Sequence, residues 1–220
     1  MSISNVDPIG IALFLAALSL LPLLLICTTC FLKVSMVLVI VRNAIGVQQV
    51  PPSIAIYGVA LAISLMVMAP VFHDAAARLP GQGGTVTERT AGLSLGEMAR
   101  AGEPLRSFMI QHTAPETRSH FLALAQRQWR GTTLANEASD RDYAVVIPAF
   151  VVSELTVAFQ VGFVLYVPFV VIDLLLSNVL LALGMQMVSP MVVSLPLKML
   201  LFVMVDGWSK LAEGLMLSYT

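Results

Sequence analysis

The sequence predicts an all-α integral membrane protein, built from two apolar helical hairpins related by a weak internal repeat, with a small polar helical insert between them. Composition is the first observation. Hydrophobic residues make up 58% of the chain and charged residues 11%, well below the usual charged fraction of about a quarter. Apolar runs are the second. Residues 8–32, 43–72, 143–172 and 174–197 hold at most one charged residue each, and uncharged runs of about 18 residues or more are candidate membrane helices.

A short pattern that occurs twice predicts where the hairpins turn. Residues 44–52 (AIGVQQVPP) and 182–190 (ALGMQMVSP) are identical at five of nine positions. Glycine readily ends a helix, and the proline six residues later suits the first turn of the next helix. For the second hairpin, a turn at the polar residues 173–178 is the alternative. The expected turn residues of the two repeats are Gly46, Gln48, Gln49, Pro51 and Pro52, and Gly184 and Pro190.

The repeats and the charge distribution divide the chain into three segments. Residues 1–72 are the predicted first hairpin, 73–142 the insert and 143–220 the second hairpin. The first helix is expected at residues 9–41 with a kink at Pro22, because proline cannot donate the backbone hydrogen bond. Helices that end at the repeats are then about 55 Å long, at about 1.5 Å per residue. A hydrocarbon core of about 30 Å is too thin to contain them.

The insert is predicted to be mainly helical. Capping boxes at residues 94–97 and 113–116 predict helices near 95–112 and 114–130. The insert balances eight arginines against eight acidic residues. Three histidines lie in it without the spacing of metal ligands, and we interpret them as exposed helix residues. We therefore expect no enzyme activity, no metal and no cofactor. These histidines are His73, His112 and His120.

The basic residues predict the orientation. Lys33 and Arg42 precede the first repeat, and basic residues concentrate on the cytoplasmic side of membrane proteins. The first turn is therefore expected in the cytoplasm, with the N-terminus, the insert and the C-terminus on the periplasmic side. The net charge of −1 indicates no nucleic-acid binding.

Three charged residues interrupt the apolar sequence of the second hairpin. A charge in a membrane is costly and is normally paired or lines a wet cavity. With the turn centred on Gln186, Asp173 lies thirteen residues before the centre and Lys198 twelve after it. We expect these two to form an ion pair between facing helices or adjacent subunits, unless either lies at a water boundary. Glu154 is expected to cap the outer part of its helix or to meet another subunit.

Two long motifs resemble the signatures of the FliP/SctR (YscR) family of type III secretion export-apparatus proteins. The first is residues 42–52 (RNAIGVQQVPP). The second begins at residues 153–163 (SELTVAFQVGF) and continues through 183–188 (LGMQMV) and 195–198 (LPLK) to 205–208 (VDGW). Flagellar members usually begin with a cleaved signal sequence. Since the N-terminal residues here lack a basic signal region, the chain resembles the injectisome branch, SctR.

The resemblance implies a non-enzymatic, pore-forming subunit that conducts unfolded secreted proteins across the bacterial inner membrane. Family members assemble as five copies with SctS-like and SctT-like subunits, next to SctU-like and SctV-like components. The complex is partly raised to the periplasmic side of the lipid. The resemblance also implies that Met185, Gln186 and Met187 form the pore gasket, and that Asp173 and Lys198 form an assembly salt bridge.

Two alternatives stay open on the sequence. Met185 and Met187 could be ordinary packing residues, since thioethers also fill irregular gaps between helices. The whole protein could instead be a proton-coupled small-molecule transporter, with Glu154 and Asp173 as the proton relay.

Overall fold

The structure, a computed structural model, describes residues 8–47, 51–78 and 95–220, and these fold into nine helices with no strand. The predicted all-helical class is thereby confirmed. Gln48 and Gln49, and Ser94 of the first predicted capping box, lie outside the described residues. The helices are α1 (Pro8–Thr28), α2 (Phe31–Ile45), α3 (Ser53–Ala77), α4 (Leu95–Gln111), α5 (Pro115–Gln128), α6 (Leu134–Glu137), α7 (Tyr143–Ala182), α8 (Pro190–Met204) and α9 (Gly207–Leu217).

The first apolar stretch is broken between α1 and α2, where the chain bends by 81°. The predicted single helix over residues 9–41 is wrong, because α1 ends at Thr28 and α2 begins at Phe31, while Pro22 lies inside α1. The hydroxyls of Thr28 and Thr29 donate to the carbonyls of Leu24 and Leu25, each at 2.7 Å. Such bonds from a hydroxyl to the carbonyl four residues earlier compete with helical bonds and bend helices.

The second hairpin turns at the repeat and not at residues 173–178, because α7 continues without a break to Ala182. Gly184 follows with a φ of +73°. Its N–H donates to Leu181 at 3.0 Å, and the N–H of Met185 donates to Leu180 at 2.9 Å. This is the Schellman pattern, in which a left-handed residue satisfies the last carbonyls of a helix.

The first repeat ends its helix in the same way. Gly46 follows α2 with a φ of +92°, and its N–H donates to the carbonyl of Asn43. Pro52 then precedes α3, as Pro190 begins α8. The two repeats therefore use the left-handed freedom of glycine and the fixed φ of proline at corresponding places.

Two described helices, α3 and α7, are long and apolar enough to cross a membrane, and the number reaches four if each of the bent pairs α1/α2 and α8/α9 is one span. Helix α7 has 40 residues, which is about 60 Å at about 1.5 Å per residue. Insert helices α4 and α5 pack against it. Part of α7 is therefore covered by the insert, which is consistent with a helix longer than the thickness of a bilayer.

The core of the hairpins lies between α2 and α7, the two helices in most extensive contact. They approach closely at Gly162, where an added Cβ would lie 2.5 Å from the Ile40 side chain. A larger residue at this crossing would force the Ile40 side chain to move. The buried residues of α2 in this core include Val34, Val37, Leu38 and Val41.

The insert packs on the hairpins through a second cluster. Phe108 and Met109 of α4 pack there with Cys30 and with Val146 and Phe150 of α7. Residues 112–114 connect α4 to α5. The predicted capping box at residues 113–116 is wrong in detail, because the Thr113 hydroxyl donates to the carbonyl of Met109 at 2.6 Å instead of capping α5.

Candidate functional site: the methionine turn and its buried charges

The structure brings Asp173 and Lys198 together. The Lys198 ammonium lies 2.6 Å from the Asp173 carboxylate, and it also donates to the backbone carbonyl of Ala44 at 3.3 Å. The Lys198 side chain is 6% exposed and that of Asp173 is 44% exposed. Ala44 lies in the last turn of α2, where carbonyls lack helical partners and the helix dipole is negative. Lys198 therefore joins α7, α8 and the end of α2, next to the first turn.

The methionine turn follows this junction. Asp173 lies nine residues before the end of α7, which is about 13 Å along the helix. Met185 is 44% exposed and Met187 is fully exposed. Gln186 between them is also exposed. The turn thus exposes two long apolar side chains, while the Schellman bonds fix its base and the ion pair links α7 to α8 farther along the two helices.

A second buried pair lies at the other end of α2, and it joins residues that the sequence did not connect. The Lys33 ammonium is 3.6 Å from the Glu154 carboxylate, and both side chains are at most 5% exposed. The Tyr219 hydroxyl donates to the same carboxylate. Glu154 is therefore paired between helices of its own chain, as one of the expected buried inter-helix or inter-subunit charges, and it does not cap its own helix. The lysine supplies a counter-charge and the phenol a hydrogen bond to a carboxylate that would be costly to bury alone.

This arrangement corrects the basis of the predicted orientation. Lys33 is buried in an ion pair thirteen residues before Gly46, so it is not a charge that flanks the turn. Arg42 is the basic residue near the turn, and it donates to Ser53 at 2.9 Å. The orientation with the first turn in the cytoplasm now depends on Arg42 and stays a prediction.

The relay proposed for a proton-coupled transporter is not assembled in this chain. Glu154 and Asp173 are nineteen residues apart on one continuous helix, which is about 28 Å along its axis. Each is already paired with a lysine. Among the described residues, no three histidine, cysteine, aspartate or glutamate side chains lie close enough to bind a metal ion.

Sequence reasoning missed Tyr219 and the role of Lys33. A signal for Lys33 was present, because a lysine inside the apolar run of α2 needs a partner as much as Glu154 does. Tyr219 carried no such signal, since an aromatic residue beyond the last helix has no periodic pattern to place it. His112 was also interpreted wrongly, because it is half-buried against the Phe108 and Tyr219 rings.

Comparison with known proteins extends over nearly the whole chain. Residues 14–215 match the FliP family. The chain is 52% identical to the harpin secretion protein HrpW of Pseudomonas syringae pv. syringae, over 95% of this chain and 99% of that protein. It is 50% identical to the harpin secretion protein HrcR of Erwinia amylovora over 100% of both. It is 43% identical to the Yop proteins translocation protein R of Yersinia pestis over 97% of both.

Proposed function

Because this chain belongs to the FliP family and is a non-enzymatic protein of the type III secretion export apparatus in the bacterial inner membrane, we propose that its methionine turn seals a pore for unfolded secreted proteins. The resemblance of the two sequence motifs to this family is confirmed. The observation that carries the proposal is the exposure of Met185 and Met187 on a turn whose base is held by the Schellman bonds at the end of α7.

The chemistry of the turn suits a seal that must yield. A closed pore has to exclude water and ions, which an apolar constriction does. The same constriction must admit side chains of many shapes, and the unbranched thioether of methionine adapts more readily than a branched side chain. Repeated around an axis by several copies of the chain, Met185 and Met187 would form a deformable apolar ring, with Gln186 between the two methionine positions.

The seal is tested by replacing both methionines with alanine, Met185→Ala with Met187→Ala. Shorter side chains should leave a hydrated gap, so the resting complex should leak ions or small solutes while its assembly stays intact and secretion falls only in part. The leucine pair should leak less than the alanine pair but also secrete less, because a branched side chain yields less readily. Conductance, or uptake of a small solute by cells that express the complex, measures the leak.

A matched control separates the turn from methionines elsewhere. Met66 is 68% exposed on α3 and Met204 is 77% exposed at the end of α8, so Met66→Ala with Met204→Ala removes the same chemistry outside the turn. The control should not leak. If the assembled turn variant leaks no more than wild type, the methionines are ordinary packing residues and the seal lies elsewhere.

We further propose that the chain works as a homo-oligomer near a pentamer, with SctS-like and SctT-like subunits, next to SctU-like and SctV-like components, and partly raised to the periplasmic side of the lipid. The exposed apolar surface of α8 supports the proposal that a partner subunit packs there, since Val192 and Val203 are both 71% exposed. Native mass spectrometry of the chain co-expressed with its genomic neighbours tests this. A stable monomer that supports secretion would contradict it.

A further inference from the structure

Tyr219 lies where three segments that are distant in the sequence meet. Its hydroxyl donates to Glu154 of α7. The ammonium of Lys33, on α2, lies 3.5 Å from the centre of its ring. The same ring stacks on Phe108 at 5.8 Å and meets the edge of His112 at 5.0 Å, both from the insert. One side chain therefore contacts both hairpins and the insert.

We propose that Tyr219 is a positioning residue with two separable roles, in which its hydroxyl holds the Glu154 carboxylate against Lys33 and its ring docks the insert on the hairpins.

The hydroxyl role follows from the buried charges. The Lys33–Glu154 distance of 3.6 Å is longer than a direct hydrogen bond, so the pair alone does not satisfy the carboxylate. The phenol of Tyr219 supplies a donor to it. Burial first, and then the charge of Glu154, raise the pKa of Tyr219 above its usual range. The phenol therefore keeps its proton and remains a donor over the physiological range of pH.

The ring role follows from the packing. The insert presents Phe108 and His112 to the face and edge of the Tyr219 ring, and Phe108 also contacts Phe150 of α7 at 6.0 Å. Aromatic pairs at these distances contribute beyond simple burial of their area. The Lys33 ammonium over the Tyr219 ring adds a cation–π attraction to these aromatic contacts. Without the ring, the insert would lose its contact with the C-terminal end of the second hairpin.

The chain carries its own reporter for docking of the insert. Cys30 has no exposed surface and packs in one cluster with Phe108 and Met109 of α4. If α4 moves away, this thiol loses part of its cover, the rest coming from Met68 of α3 and Val146 and Phe150 of α7, and we expect its alkylation to become faster. The chain has two cysteines, and the other, Cys27, is half-buried on α1. In a Cys27→Ala background, the rate at which N-ethylmaleimide modifies the full chain in native membranes therefore reports exposure of Cys30 alone.

Three variants test the ring role in that background. Tyr219→Leu should raise the alkylation rate by about tenfold or more, because the cation–ring contact and two aromatic contacts are lost. Tyr219→Phe should stay close to wild type, because it keeps the ring. Tyr166→Leu is the matched control, since Tyr166 is 41% exposed on α7, and it should also match wild type.

A second variant, changed in the insert, keeps the test valid if the Tyr219→Leu protein does not fold. His112→Leu leaves Tyr219 and Glu154 in place and removes one ring of the docking contact, so it should also speed alkylation of Cys30. Alkylation in denaturant gives the fully exposed limit for each variant. If neither Tyr219→Leu nor His112→Leu exceeds the Tyr166→Leu rate, the ring does not dock the insert and the proposal is overturned.

A double-mutant cycle tests the hydroxyl role. Tyr219→Phe should lower the thermal midpoint of the membrane-extracted protein, and the drop should be much smaller when Glu154→Gln is already present, because the charged acceptor is gone. Tyr219→Phe and Tyr219→Leu should thus differ in the alkylation rate of Cys30, whereas both should lose the energetic coupling between position 219 and Glu154. Equal drops from Tyr219→Phe in both backgrounds would show that the hydroxyl does not act through Glu154.

Discussion

Removal of Asp173 should damage the protein more than removal of Lys198, because the two partners differ in burial. Asp173→Asn leaves the Lys198 ammonium, whose side chain is 6% exposed, without a counter-charge, because the amide oxygen at position 173 and the carbonyl of Ala44 at 3.3 Å are both neutral acceptors. A buried charge that loses its partner typically costs about 3–5 kcal/mol. Lys198→Met leaves the Asp173 carboxylate, whose side chain is 44% exposed. Water can hydrate this carboxylate in part, so Lys198→Met should lower the free energy of unfolding by about 1–2 kcal/mol.

These magnitudes predict a measurable order of effects. A loss of about 3–5 kcal/mol changes the unfolding equilibrium by a factor of at least about a hundred, and about 1–2 kcal/mol by about five to thirty. The exchange Asp173→Lys with Lys198→Asp should recover part of the loss. Recovery should be incomplete, because a carboxylate at position 198 would face the Ala44 carbonyl, and two acceptors cannot bond.

The assay is denaturant titration of the full chain in detergent, together with the assembled fraction on native gels. Two exposed residues provide matched controls. Lys210→Met removes an exposed lysine of α9, and Asp74→Asn removes a carboxylate that is 65% exposed; both should be nearly neutral. The reasoning fails if Lys198→Met is as harmful as Asp173→Asn, or if the exchanged pair is no better than Asp173→Asn.

Two further predictions follow from close packing and from protonation. Gly162→Ala should destabilise the chain by about 1–3 kcal/mol in the same titration, because its Cβ would overlap α2; Gly58→Ala, where a Cβ meets nothing within 4 Å, should not destabilise it. Burial first, and then Lys33, lower the pKa of His112. Docking of the insert should therefore weaken as pH falls below about 6.5, since the undocked form binds the proton more readily. The rate at which a protease cleaves the insert, followed from about pH 7.5 to about pH 5, measures this weakening. The control is His112→Phe, which keeps a ring facing Tyr219, and its cleavage rate should rise less at low pH than that of wild type.

The fold was largely predictable because its determinants are local. Runs of uncharged apolar residues define membrane helices, and a glycine followed by a proline ends one helix and begins another. The second repeat therefore located the turn after Ala182 correctly. The break after Thr28 was missed because proline is the stronger general signal for a bend, whereas here two threonine hydroxyls bond back to the preceding turn.

The Asp173–Lys198 pair could be predicted, because two residues at equal distances from the turn of a hairpin lie at the same depth along its helices. Asp173 and Lys198 are nearly equidistant from the centre of one turn, so facing helices bring them level. Lys33 and Glu154 lie on helices from different hairpins, and no count along the chain relates their depths. Their pairing depends on how α2 crosses α7 at Gly162, which is a property of packing between segments.

By itself, the sequence determined the helical class, the membrane character and the family, and it favoured the two turns, because each of these depends on residues that are neighbours in the chain or on motifs of contiguous residues. The tertiary structure decided which buried charges neutralise each other and which surface stays exposed. Tyr219 meets Glu154 across 65 residues, and Lys198 meets Ala44 across 154. Such contacts arise from the crossing of helices in three dimensions, and local propensity carries no information about them.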